Sequence, residues 1–395
     1  MSRSMQRVVV LTIAAGLILS ACGDAGTPAS SADAATPTVV PASPTLEPTS
    51  TVPVLVTVVP QQTPDDSDPA IPHSTSTQQI SPATASPTSI PSPTPTLEDV
   101  SPVIAPVPAA YIFVADTLNH RVQVSDGTEW ALVFGQAGEG SDAGQFDFPC
   151  SVIVDADGRM YVTDSNNHRV QYFDGDEWIV ISDGLGPEIG QFNNPYGMAV
   201  DRDGLLYIAD TANHRIQVWD GVEWSLVAGG LGSAPGEFNR PEGIAVDYHG
   251  NIYVADTHNN RLQVFDGQEW SVIVDTAGTE PGEFEFPWRV AVDPAGVIYV
   301  IDWGNTRIQR FDGTSWAVIS EGSGHSGAGI LYQPFGIAVD QTGVVWVADT
   351  GNHRLQTWDN GVWTIVDDAY GTDVGQFSRP RGVAVYPPAV SYPGD

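Results

Sequence analysis

From Tyr111 onward the chain is written in apolar runs of five or six residues, each closed by a cluster of turn residues. The stretch PEGIAVDYHGNIYVADTHNNRLQVFDGQEWSVIV, residues 241–274, holds four such runs: GIAVD, NIYVADT, RLQVFD and EWSVIV. Val, Ile, Tyr, Phe and Trp fill them, which suits half-buried strands better than helices. The HG and DG pairs after the first and third runs are hairpin signals. The pattern predicts four antiparallel strands per unit.

The unit recurs. Asp116 has equivalents at Asp164, Asp210, Asp256, Asp302 and Asp349, at intervals of 46 to 48 residues. Four-stranded units at even spacing predict an all-β fold, a six-bladed β-propeller. The first unit opens directly on YIFVADT at Tyr111 and lacks its first strand, while an orphan PRGVAV stands at 380–385. That C-terminal strand is expected to complete the first blade, closing the ring and removing an exposed edge. The propeller is assigned to residues 109–388, with a tail over 389–395.

The residues that repeat are G-x-F-x-x-P-x-G-[IV]-A-V-D-x-x-G-x-[IV]-Y-V-[AV]-D-x-x-N-x-R-[IV]-Q. This run resembles the NHL repeat, and the resemblance extends over all six units. It implies a propeller and leaves function open, because propellers host sensors, scaffolds and enzymes alike.

The six units also serve as an internal control. Asp116, Asn119 and Arg121 look at first like an acid and an anion clamp, with His120 as a base beside them. The Asp, Asn and Arg return in every unit, as do Gln123 and Trp130, so they are expected to build blades. His120, His168, His214 and His353 share one turn position where Asn260 and Thr306 stand in the other units. Set on separate blades, these histidines are expected to be surface residues and no metal site. Paired carboxylates such as Asp155 with Asp157 and Asp201 with Asp203 lack the ligand series of a dedicated calcium loop. No cofactor is expected.

Variation is concentrated after the recurring proline, where Cys150, Tyr196, Glu242, Trp288, Phe335 and Arg381 stand; the next residue is Gly except at Ser151 and Arg289. In a propeller these positions open on the mouth of the central channel, the default concave site. Tyr196, Glu242, Trp288, Arg289, Phe335 and Arg381 are therefore the candidate ligand-binding residues. Cys150 is expected to be a small packing residue. Peptidylglycine alpha-amidating lyases are similar six-bladed propellers, and the resemblance would put zinc-binding histidines at this position in three blades. None of the six residues here is His, so that zinc centre is not supported.

The composition narrows the partners. The chain carries 48 acidic residues against 15 basic ones, all Arg, for a net charge of −33. Such a surface repels nucleic acid. Propellers fused to RING-type ubiquitin ligase modules are a second similar family, but the chain has only two cysteines, Cys22 and Cys150, and hence no zinc-finger cluster.

Ahead of the propeller, Arg3 and Arg7 precede the apolar run VVVLTIAAGLIL, which is followed by Leu19-Ser20-Ala21-Cys22. This is the anatomy of a secretory signal. The last four residues resemble the bacterial lipobox, which implies a signal peptide over 1–21 and acylation of Cys22. Residues 22–108 are dominated by Pro, Ser, Thr and Ala and are expected to be a disordered stalk. An 80-residue flexible stalk would average roughly 50 Å end to end.

The expectation is a monomeric, surface-anchored lipoprotein on the extracytoplasmic side, held to the membrane by its lipid. Its propeller would be a non-catalytic module for a protein, peptide or glycan. The alternative is an extracytoplasmic lyase or hydrolase, with Glu242 as acid/base and Arg289 or Arg381 as anion clamp.

Overall fold

The computed structural model describes residues 110–386, except 134, 135, 137, 183 and 321–323, and the backbone of residues 9–11 and 54–56. Val9–Leu11 and Val54–Val56 pair as two short antiparallel strands, where leader and unpaired linker were expected. The rest of the expected signal peptide, Cys22, the rest of the Pro/Ser/Thr-rich segment and residues 387–395 lie outside the described residues.

Residues 111–386 form six four-stranded antiparallel sheets, each built from strands consecutive in the chain except the first. Blade one contains Tyr111–Asp116, Arg121–Ser125 and Trp130–Leu132, completed by Pro380–Tyr386 as its innermost strand. The register runs from Pro380 opposite Asp116 to Tyr386 opposite Tyr111. The ring is therefore closed by the last described strand, as expected. Blades two to five begin at Pro149–Val154, Pro195–Val200, Pro241–Val246 and Pro287–Val292, and blade six at Gly336–Val339.

Each blade packs on the next through its strand faces. The buried sets mix residues of neighbouring blades, as where Ile216 of blade three meets Ile244 and Val254 of blade four. The phenylalanine of the G-x-F connector is fully buried against the recurring tryptophan: Phe146 on Trp178, Phe192 on Trp224, Phe238 on Trp270 and Phe284 on Trp316, each edge to face at 4.9 to 5.2 Å between centroids. Edge-to-face contact suits the ring quadrupoles and adds about 1 kcal/mol to the area buried.

Glycine after P-x is explained by crowding at the axis. A Cβ on Gly243 would come within 2.6 Å of the Trp288 carbonyl oxygen, and one on Gly336 within 2.0 Å of that of Arg381. The innermost strands touch backbone to backbone at this end.

Candidate functional site

The Asp-Asn-Arg-Gln set is consumed by the scaffold. Asp116 is fully buried, and its Oδ2 accepts hydrogen bonds from Asn119 Nδ2 (2.8 Å), Arg121 Nε (2.7 Å) and Gln123 Nε2 (3.1 Å), while Oδ1 accepts the Ser378 N–H at 2.7 Å. Arg121 then spends its remaining donors on the carbonyls of Thr372, Asp373 and Gln376 in the connector entering its own blade. The same network recurs around Asp210, with Asn213, Arg215 and Gln217. A planar guanidinium suits this role, bridging one carboxylate to several carbonyls. Burial pushes the Asp116, Asp164 and Asp210 carboxyls up, opposed by these hydrogen bonds and the arginine charge.

The four turn histidines are half-buried and do more than the surface position expected of them. His120, His168, His214 and His353 sit in the left-handed region at φ 51 to 56, and each Nδ1 accepts an N–H from the residue that precedes the next blade's proline. Asn260 does the same with Oδ1 toward Phe286, at 2.8 Å. Where Nδ1 accepts in this way, Nε2 is left as the ring's donor. Burial lowers the pKa of His214 and His353, with Arg240 and Arg379 respectively adding to the effect. Among the described residues, no three His, Cys, Asp or Glu side chains gather into a metal site.

What remains is the channel mouth. The innermost strands line a cavity of about 180 Å³, walled by residues such as Val152, Met198, Ile244 and Val383; of the six candidate residues Arg289 alone borders it. Arg289 is buried, and its guanidinium donates to the carbonyls of Glu242 (3.1 Å), Tyr196 (3.2 Å) and Cys150 (3.3 Å). One side chain of blade five thus bonds to blades two, three and four. Gly197 makes room, since a Cβ there would lie 2.8 Å from Arg289 Nη1. Burial lowers the guanidinium's pKa, with Cys150 and Glu242 pulling it back up.

Arg381 stands over two aromatic faces, 4.1 Å from the Phe335 centroid and 4.4 Å from that of Phe148, with Nη1 3.7 Å from Cys150 Sγ. Cys150 is 1 % exposed and packs as expected. Trp288 meets Phe335 edge to face at 4.6 Å and Trp303 at 5.1 Å. Glu242 is 1 % exposed; its Oε1 lies 3.7 Å from Arg240 Nη2. Burial outweighs the pull of Arg240, Arg289 and Arg381 and pushes the Glu242 carboxyl up to about 8. Tyr196 is also raised, first by burial and then by Cys150 and Glu242.

Three buried side-chain polar atoms have no hydrogen-bond partner among the described residues: Glu242 Oε2, Trp303 Nε1 and Arg381 Nε. All three belong to this mouth. Such atoms cost about 1–3 kcal/mol each when nothing satisfies them.

The model of the NHL repeat matches residues 146–173, 192–219, 238–265, 284–311 and 331–358. This is an NHL-repeat propeller. Each matched segment starts at the buried connector residue, Phe146 through Leu331, and ends on the third strand. Among solved structures, the chain is similar to one titled "Crystal structure of Nidogen/Laminin Complex", with a TM-score of 0.51 and 17 % identity over 72 % of this chain and 100 % of that one. That likeness is one of fold. No curated protein matches the sequence.

In this NHL propeller the mouth brings together all six residues singled out from the sequence: Tyr196, Glu242, Trp288, Arg289, Phe335 and Arg381. Three further contributors come with them: Arg240, Phe148 and Trp303. Trp303 had a signal, since the other units carry Thr117, Ser165, Thr211, Thr257 or Thr350 at its position.

Proposed function

We propose that the chain is an extracytoplasmic lipoprotein, anchored through Cys22, whose propeller binds a protein, peptide or glycan ligand at the channel mouth without catalysing a reaction. The observation that carries this is the coincidence of the three unpartnered buried polar atoms with the aromatic and arginine residues unique to the mouth. The recurring Asp, Asn, Arg and Gln are spent on the scaffold, which leaves the mouth as the place where chemistry differs from blade to blade. A protein complex among structures of the same fold is in keeping with a binding role.

Peptide and glycan arrays probed with the full chain test this. Hits should vanish when Trp288→Ala and Phe335→Ala are combined with the fold intact by circular dichroism; hits that survive would put the ligand elsewhere. For the anchor, the full chain should partition into detergent and a Cys22→Ala chain should not.

One observation favours the enzyme alternative: a carboxyl raised to about 8 holds its proton at neutral pH, as a general acid must. Against it, Arg289, one of the two candidate anion clamps, is committed to three carbonyls. Turnover of esters or glycans that disappears in Glu242→Gln and Arg381→Ala would reverse the preference.

A further inference from the structure

We propose that the group received at this mouth is the free C-terminal carboxylate of a peptide with an apolar last residue, an inference that rests on the mouth being the ligand site. Trp303 Nε1 and Arg381 Nε, two of the three unpartnered atoms, can only donate. The third, Glu242 Oε2, belongs to a carboxyl that burial keeps protonated at neutral pH, so it too can donate. Three unmet donors call for an acceptor-rich partner.

Charge points the same way. Arg240, Arg289 and Arg381 surround Glu242, the neutral phenol of Tyr196 lies close to it, and Cys150 sits against Arg381. With Glu242 protonated, the cluster is cationic inside a chain of net charge −33. The local positive charge favours an anion at this spot against the repulsion of the acidic surface around it, and Arg381 offers a planar fork suited to a carboxylate.

The aromatic residues decide between an acidic sugar and a peptide. A sugar ring needs an open flat face, but Arg381 already covers Phe335 and Phe148. Trp288 is packed on Phe335 and Trp303, and together they make an apolar wall of edges. Such a wall fits an aliphatic or aromatic side chain next to the carboxylate.

The test is calorimetric titration of the full chain with the tripeptide N-acetyl-Ala-Ala-Phe as free acid, the same peptide amidated, and glucuronate. The free acid should bind at least about tenfold more tightly than the amide, the loss expected for a charged hydrogen bond. Arg381→Gln should abolish that preference with an unchanged circular dichroism spectrum. Affinity for the acid should fall as pH rises past about 8, and Glu242→Gln should keep the preference while removing the pH dependence. Equal binding of acid and amide, or binding of glucuronate alone, overturns the inference. If no carboxylate binds while the arrays still give hits that depend on Trp288, this inference fails and the binding function stands. If the arrays are also empty, both fail.

Discussion

Blades four and five are neighbours built on one plan, and they differ where it matters. Asp256 and Asp302 hold their Asn, Arg and Gln partners at distances that agree to 0.1 Å. Blade four has Glu242 and Gly243 after its proline, while blade five has Trp288 and Arg289. Thr257 of blade four donates its hydroxyl to the Pro287 carbonyl at 2.8 Å and so ties blade four to blade five. Blade five has Trp303 there, and the innermost strand of blade six begins only at Gly336. The repeat fixes the residues that hold connectors and leaves those at the channel mouth free to differ from blade to blade.

The comparison breaks most severely if the shared scaffold is not shared. Asp256→Ala and Asp302→Ala should each cost about 3–5 kcal/mol, since either leaves a buried arginine without its carboxylate. Denaturant unfolding checks this, and a large inequality would mean that blade five had given up the common scaffold.

Arg289→Gly returns blade five to the consensus of the repeat and should cost about 1–3 kcal/mol, because the Glu242, Tyr196 and Cys150 carbonyls lose a charged donor. An unchanged melting temperature would show that these three bonds do not hold the blades together.

A pH-dependent difference of the same order is expected from Glu242. Its folded pKa lies above the ordinary value of 4.5, so its contribution to stability is fully present below pH 4.5 and is lost as pH rises through about 8. The stability of Glu242→Gln relative to the parent should therefore climb between those limits. The histidines act oppositely: His214 and His353, lowered in the fold, subtract stability as pH drops below 6.5. Comparing the two proteins at each pH cancels that background; a flat difference would sink the assignment.

The smallest expected effect is a gain. Thr306 sits at φ 52, where a β-branched residue is strained, while Asn260 occupies the equivalent turn and accepts the Phe286 N–H. Thr306→Asn should stabilise blade five by about 1 kcal/mol, read from thermal unfolding.

Much of this was legible in advance, for reasons that can be named. Blade number, strand order and ring closure follow from a repeat whose phase is carried by Asp116 and its five equivalents. The mouth residues follow from that phase and one varying position. The histidine role was hidden because its partners are backbone N–H groups 26 to 28 residues away. Those partner residues precede proline yet hold a left-handed φ, where an extended backbone is the usual expectation. The course of Arg289 was equally hidden, since nothing in a linear string says that a guanidinium will cross to three other blades.

The seam between Tyr111–Asp116 and Pro380–Tyr386 also fixes when the molecule can become whole. The first strand of the ring to be synthesised waits for the last, some 265 residues later, so a nascent chain is an arc with two raw edges for almost its entire production. A chain stopped short of Pro380 would keep those edges for good and would be left open to pairing with another copy.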